Sequence, residues 1–113
     1  MDARTGAMRL APNGTRVCPA AAALDVVGER WSLLVVRELG YGVHRFDQIV
    51  RFTGAPRDVL ADRLRKLMAA GVIERRPYCE RPRRFEYHLT ERGRQLRPVL
   101  DALSRWGSAW VSR

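Results

Sequence analysis

Apolar residues in the first half of the chain recur at helical spacing. Between residues 24 and 39 they follow steps of three and four, which predicts one inward-facing helix stripe. Gly28 is expected to divide this region into helices over residues 19–27 and 29–39. Pro19 fits the first turn of the earlier helix, where its missing N–H costs nothing.

Two shorter helical patterns follow. One begins at Phe46 and is expected to end at Gly54, after a very short strand over residues 43–46. The next covers residues 56–70. Two short helices joined by a few residues that include glycine are typical of a helix-turn-helix. The inward face of the second helix is expected to carry Leu60, Leu64, Leu67 and Met68.

Strand-like periodicity replaces the helical pattern after residue 71. Residues 72–78 and 85–89 are rich in β-prone side chains, and the polar segment 79–84 between them predicts a hairpin turn. Thr90 is the expected N-cap of a last helix, which Pro98 should kink or weaken. The fold class is therefore mainly α with a small β-hairpin, in the element order of a winged helix-turn-helix.

Length and composition limit the remaining choices. The 113 residues fit one domain, expected over residues 17–113, with residues 1–16 as a flexible N-terminal tail. No apolar run approaches the ~18 residues that cross a bilayer, and no secretory signal is visible. Two cysteines are too few for a disulfide scaffold, which favours a reducing, cytoplasmic location.

The charge balance favours a polyanionic partner. Twenty-one basic residues outnumber 12 acidic ones, which gives a net charge of +9. The positive excess is concentrated from Arg45 onward, and every basic residue except Lys66 is arginine. The planar guanidinium suits phosphates and guanine edges, so the distribution favours nucleic-acid binding.

Several separated motifs occur together in one order along residues 17–110. They are Cys18-Pro19, residues 24–31 (LDVVGERW), residues 60–67 (LADRLRKL), Gly71-Val72-Ile73, Arg76, Tyr78, Pro82-Arg83, Glu86-Tyr87, Leu89-Thr90, Gly93, Leu96, Pro98 and Trp106-Gly107. In this the chain resembles the HxlR family of bacterial transcription regulators, relatives of the MarR-type repressors. The resemblance implies a homodimer through the N- and C-terminal helices, bound to a palindromic operator on double-stranded DNA. It also implies that residues 56–70 form the recognition helix and residues 72–89 the wing.

The recognition helix should present its polar face to DNA. That face carries Arg57, Asp58, Ala61, Asp62 and Arg65. Arginine suits guanine N7 and O6, and an aspartate can accept from cytosine N4. Alternatively the aspartates cap the helix start and pair with Arg65 or Lys66 at a spacing of three and four residues, which is the role expected for Asp62.

Further arginines are expected to contact the DNA backbone. Three crowd the predicted tip of the wing, where phosphate or minor-groove contacts are expected, and two flank the first helix of the motif. The three are Arg81, Arg83 and Arg84, and the two are Arg45 and Arg51.

The apolar stripe of the last helix exceeds what a small core can cover, which indicates a partner surface. The predicted dimer interface consists of Leu24, Trp31, Leu100, Leu103, Trp106 and Trp110. The alternative is that Trp106 and Trp110 fold back onto Trp31 within one chain.

Cys18 is the candidate signal input. It precedes Pro19 at a helix N-terminus, where the dipole favours a reactive thiolate, and related regulators sense oxidants or electrophiles at the matching cysteine. The alternative is a small buried residue at a helix start. Cys79 is the other cysteine, and the sequence does not decide between the two.

Other functions receive less support. The chain is not expected to be an enzyme, because the spacings of Cys18, His44, Cys79 and His88 fit no compact metal motif and no catalytic motif is present. No cofactor and no metal are expected. A MarR-like regulator with a small-molecule ligand and an RNA-binding accessory protein remain alternatives, although the chain lacks the aromatic platforms that bind unstacked bases.

Overall fold

A computed structural model describes residues 9–111. The chain forms two compact units, and the boundary between them along the sequence falls between Arg30 and Trp31. The first unit contains a hairpin of β1 (Arg9–Leu10) and β2 (Arg16–Val17), followed by α1 (Pro19–Val27). The predicted tail overlaps this hairpin, so residues 9–16 carry local structure. Residues 1–8 lie outside the described part.

Helix α1 matches the predicted bounds and ends at Gly28. A Cβ atom at this position would lie 2.3 Å from the Leu24 carbonyl oxygen, so the close turn requires glycine. Val27 is buried, whereas Leu24 is 61% exposed. The predicted inward stripe therefore does not include Leu24 within this chain.

The second unit begins with α2 (Ser32–Gly40), α3 (Phe46–Thr53) and α4 (Arg57–Ala69). Helix α2 was expected to start at residue 29. It starts at Ser32 because Trp31 adopts a left-handed conformation, with φ of 83°, that a helix cannot include.

The core of this unit forms around α2, which contacts α3, α4, the second wing strand and the last helix. Its apolar face follows the predicted periodicity, and the leucines of α4 pack inward as expected. The buried side chains of these three helices include Val35, Val36, Leu39, Ile49, Leu60, Leu64 and Leu67.

The wing consists of β3 (Ile73–Glu80) paired antiparallel with β4 (Arg83–Leu89). The turn was predicted over residues 79–84 but is confined to Arg81 and Pro82, because Cys79 and Glu80 extend the ladder opposite Arg84 and Arg83. The register shifts between Pro77 and Cys79, where proline cannot donate to a ladder.

The predicted strand over residues 43–46 is wrong. Phe46 already belongs to α3, and the preceding residues are irregular. His44 forms one backbone bond with the wing, from the Tyr87 N–H to the His44 carbonyl at 2.8 Å. Its imidazole Nδ1 donates to the Tyr87 carbonyl at 2.8 Å, so a side chain supplies the second bond.

The last predicted helix is two helices, α5 (Glu91–Arg94) and α6 (Arg97–Trp110). Thr90 caps α5, since its Oγ1 accepts from the Gly93 N–H at 3.2 Å. Pro98 does not kink a continuous helix. It occupies the first turn of α6, where no backbone donor is needed.

Candidate nucleic-acid interface

The turn between α3 and α4 fixes the direction of the second helix. Gly54 adopts φ of 80°, a left-handed conformation that favours glycine. Thr53 Oγ1 donates to the Ile49 carbonyl at 2.6 Å and accepts from the Ala55 N–H at 3.1 Å. Because Ala55 is buried, the turn is anchored in the core.

Helix α4 presents the predicted polar face to solvent. Leu60, Leu64 and Leu67 are at most 1% exposed, which orients the opposite face outward. Four members of the predicted set are exposed and Asp62 is half-buried; the exposed four are Arg57, Asp58, Ala61 and Arg65. The assignment of faces therefore agrees with the structure, while contact with DNA stays a prediction.

Asp62 forms ion pairs with basic side chains on its own helix, which is the role expected for it. Its carboxylate contacts Arg65, Arg63 at 2.6 Å and Lys66 at 3.4 Å. Partial burial alone raises the pKa of Asp62, but the Lys66 hydrogen bond and the surrounding positive charges lower it below the ordinary value. Asp62 thus positions Arg65 and stays ionised.

Arg57 is held between the two helices of the motif. Its Nη2 lies 2.7 Å from Asp47 Oδ1, and its guanidinium lies 5.0 Å from the centre of the Phe46 ring. Both partners belong to the first turn of α3. These contacts orient a guanidinium at the exposed start of the recognition helix.

The wing carries a second group of arginines. Arg81, Arg83 and Arg84 are exposed at its tip. The Arg83 guanidinium lies 5.6 Å from the centre of the Phe85 ring, which Arg75 also covers at 4.0 Å. Aromatic rings thus support part of this positive charge.

Arg45 joins the wing to the helix-turn-helix. It is the N-cap residue of α3, and its guanidinium lies 4.1 Å from the Tyr78 ring centre and 3.5 Å from a Glu86 carboxylate oxygen. A cleft of about 590 Å³ lies between the two elements. Its lining includes four arginines, Arg45, Arg57, Arg83 and Arg84. Arg51 lies apart from this lining, exposed in the last turn of α3.

The supporting residues of this cleft were not predicted from the sequence. Tyr78, Phe85 and Tyr87 line it, and Glu86 orients Arg45. Successive side chains of β4 alternate between the two faces of the strand, which the sequence pattern shows. Which of these faces lies toward α3 depends on the contact between His44 and Tyr87.

Helix α6 exposes an apolar stripe on one side. Val99, Leu103, Trp106 and Trp110 follow steps of four, three and four, and the two tryptophans are 61% and 75% exposed. The alternative in which both tryptophans fold back onto Trp31 within one chain disagrees with this exposure. Leu100 and Trp31, also predicted for the interface, are half-buried, and Leu100 lies outside the stripe.

Cys18 occupies the N-cap position of α1. Its Sγ accepts from the Ala21 N–H at 3.3 Å, and its side chain is half-buried. Cys79 lies near the tip of the wing and is also a free thiol.

Neither a metal cluster nor a membrane span occurs in the described part of the chain. Over residues 9–111, no three His, Cys, Asp or Glu side chains are grouped to hold an ion. Within the same range, no helix has the length and apolar character needed to cross a membrane.

Comparison with known proteins places these features in a family. The profile of HxlR-like helix-turn-helix proteins matches residues 26–113. An uncharacterized HTH-type transcriptional regulator of Mycobacterium tuberculosis is 47% identical over 91 residues, which cover 80% of this chain and 58% of that protein. The chain thus spans little more than half the length of this relative.

Solved structures of several proteins share the fold. The provisionally assigned transcription factor PA1607 superposes with a TM-score of 0.78 at 40% identity, covering 85% of this chain and 67% of that one. The redox regulator HypR, in its oxidized form, superposes with a TM-score of 0.73 at 31% identity, covering 85% of this chain and all of that one. These relatives are named as regulators rather than enzymes, in agreement with the sequence analysis. The chain belongs to the HxlR-like helix-turn-helix family of transcriptional regulators.

Proposed function

We propose that this chain is a sequence-specific, double-stranded DNA-binding transcriptional repressor. The observation that carries the proposal is the exposed face of α4, which holds Arg57 and Arg65 beside an arginine-rich wing. In the proposed complex α4 enters the major groove, where Arg57 and Arg65 contact guanine edges. Exposed Asp58 and Ala61 complete the face that approaches the bases. Asp62 orients Arg65.

The surrounding arginines hold the DNA backbone in this proposal. Arg45 and Arg51 clamp phosphates on either side of α3, while the wing tip contacts phosphate or the minor groove. The tip contributes Arg81, Arg83 and Arg84. The net charge of +9 per chain, or +18 for two chains, predicts affinity that falls steeply with salt.

The regulator acts as a homodimer on a palindromic operator. The apolar stripe of α6 supports this, because four large side chains at helical spacing remain exposed on one chain. Leu103, Trp106 and Trp110 form the centre of the proposed interface. Leu24 of α1 exposes a further apolar side chain, and Trp31 and Leu100 contribute from half-buried positions.

Oxidants or electrophiles control the regulator through Cys18. The similarity to a redox regulator and the N-cap position of the thiol support this part of the proposal. The site of action is the cytoplasm, where bacterial DNA lies. A MarR-like regulator controlled by a small-molecule ligand remains the second candidate, which a cavity between α2, the wing and α6 favours.

A binding experiment tests the proposal. Fluorescence anisotropy compares a labelled duplex from the promoter next to the coding gene with a scrambled duplex and with single-stranded RNA. We expect tight binding to the promoter alone, and a footprint of two half-sites about 34–36 Å apart. Equal affinity for all three would contradict sequence-specific DNA binding, and stronger RNA binding would favour the accessory-protein alternative. A single asymmetric footprint would contradict the dimer.

A further inference from the structure

A cavity of about 530 Å³ opens in the second unit, apart from the proposed DNA-binding face. Its walls come from α2, the base of the wing, α5 and α6. This volume falls within the range of small-molecule sites. Neither DNA binding nor the apolar stripe accounts for it.

The floor of the cavity is apolar. Val36 and Leu39 of α2 are 1% and 3% exposed, and half-buried Leu89 and Leu100 close the floor from β4 and α6. Such a surface contacts a ring or a branched hydrocarbon without leaving a polar group unpaired.

The rim of the cavity is rich in arginine. Its lining contains a single carboxylate, that of Asp101, and four arginines, which are Arg37, Arg76, Arg94 and Arg97. Arg37, Arg76 and Arg94 already contact glutamates at 2.5–2.9 Å. Arg97 reaches Asp101 only at 3.8 Å, so its guanidinium is the one most available to an incoming anion.

Two stacked imidazoles form part of the wall. The rings of His44 and His88 lie with centroids 3.9 Å apart and planes inclined by 19°. His44 Nδ1 donates to the Tyr87 carbonyl, and His88 Nε2 contacts Glu86 Oε1 at 3.1 Å. Within residues 9–111 each ring thus commits one nitrogen to the protein, which leaves the other for a ligand.

From these features we propose that the cavity binds a small amphipathic carboxylate. Its hydrocarbon body packs on the leucine floor against the imidazole wall, and its carboxylate is bound by Arg97 at the rim. The site adds a chemical class of effector to the DNA-binding function.

Occupancy of the cavity is expected to change DNA affinity. His88 and Leu89 belong to the wing, whereas Leu100 and Ser104 belong to the helix that carries the apolar stripe. A ligand between them alters the position of the wing relative to α6. This second step depends on the proposed function; binding itself does not.

The test uses the full chain without DNA, with benzoate as the probe and neutral benzamide as its isostere. Isothermal titration at fixed ionic strength should detect benzoate and not benzamide, and sodium acetate controls for a general anion effect. Arg97→Gln should weaken benzoate binding about tenfold or more, while Arg105→Gln, on the same helix outside the lining, should not. Ser104→Leu, which fills the cavity, should abolish binding without unfolding the chain.

Three outcomes overturn the proposal: equal binding of benzamide, unchanged affinity in both Arg97→Gln and Ser104→Leu, or no benzoate binding at all. If DNA binding survives any of these results, only the effector site is lost. If the chain binds benzoate but does not bind the promoter duplex, the effector site stands and the DNA-binding proposal fails.

Discussion

The imidazole rings of His44 and His88 stack 3.9 Å apart and join the start of the helix-turn-helix to the wing. His44 directly precedes the N-cap residue of α3, and His88 lies in β4. Glu86 extends the link, because it contacts both His88 and Arg45. One cluster therefore sets the position of the wing relative to the first helix of the motif.

Glu86 makes the stability of this cluster depend on pH. The hydrogen bond from His88 lowers the pKa of Glu86, with help from Arg45 and against the effect of burial. A carboxyl group whose pKa is lower in the folded state than in the unfolded state stabilises the fold at pH values above its unfolded pKa. That stabilisation is lost as the pH falls through the folded-state pKa. Urea unfolding should show Glu86→Gln less stable than the wild type at neutral pH, with the difference shrinking in acid.

Glu74→Gln is the matched control, since Glu74 forms an exposed pair with Arg76. At neutral pH, Glu74→Gln should lower the free energy of unfolding less than Glu86→Gln does. A Glu86→Gln deficit that stays constant or grows toward low pH would contradict the assignment.

Arg65 and Arg51 should differ in how they affect DNA binding. Arg65→Ala removes a proposed base contact, so it should cost about 1–3 kcal/mol on the operator and relax sequence preference at one position. Arg51→Ala removes a proposed phosphate contact, so it should weaken all duplexes alike and reduce the salt slope by about 1. Anisotropy titrations at several salt concentrations separate the two. If Arg51→Ala relaxed the sequence preference and Arg65→Ala weakened all duplexes alike, Arg51 would be the base contact and Arg65 the phosphate contact.

The exposed stripe of α6 should control assembly. Leu103→Glu places a charge among Val99, Trp106 and Trp110, and the lost apolar burial of about 1.5–3 kcal/mol should weaken the dimer at least about tenfold. Light scattering after size exclusion measures the mass, and circular dichroism checks the fold. Phe52→Ser removes an exposed aromatic outside the stripe and should leave the mass unchanged. A monomeric wild type would end the dimer proposal.

Two glycines should respond in opposite ways to alanine. A Cβ atom at Gly93 would lie 2.1 Å from the Val72 carbonyl oxygen, so Gly93→Ala should destabilise the fold by about 1–3 kcal/mol. Gly107 lies within α6 with nothing within 4 Å of the added atom, so Gly107→Ala should stabilise by about 0.4–1 kcal/mol. Urea midpoints measure both. If both variants were stabilised, or both destabilised, the steric argument would be refuted.

Cys18 should carry the redox response. Diamide treatment is expected to reduce promoter binding of the wild type and of Cys79→Ser, but not of Cys18→Ser, because the thiol at the start of α1 is the proposed reactive group. Anisotropy before and after treatment, with reversal by dithiothreitol, measures this. Affinity that is unchanged by diamide in the wild type would exclude thiol control, and loss of the response only in Cys79→Ser would assign it to the wing.

Local signals made most of the elements predictable. The three-and-four spacing of apolar residues placed the leucines of α4 inward and its arginines outward, as the structure has them. Glycine and threonine likewise marked the ends of α3 and the start of α5. One error fell at Trp31, whose left-handed backbone the spacing of apolar residues does not signal. The other fell at the irregular segment that His44 joins to Tyr87, where the backbone depends on a contact with a distant strand.

The sequence by itself therefore determined the order of the motif helices and the wing, the buried face of each motif helix and the excess of positive charge, because periodicity and residue type act over a few neighbouring positions. Only the tertiary structure decided which side chains from distant segments meet. Arg45 lies over Tyr78, His44 stacks on His88, and Leu100 lines a cavity rather than the exposed stripe. These contacts depend on the three-dimensional packing of the wing and α6 against α2, which spacing along the chain does not encode.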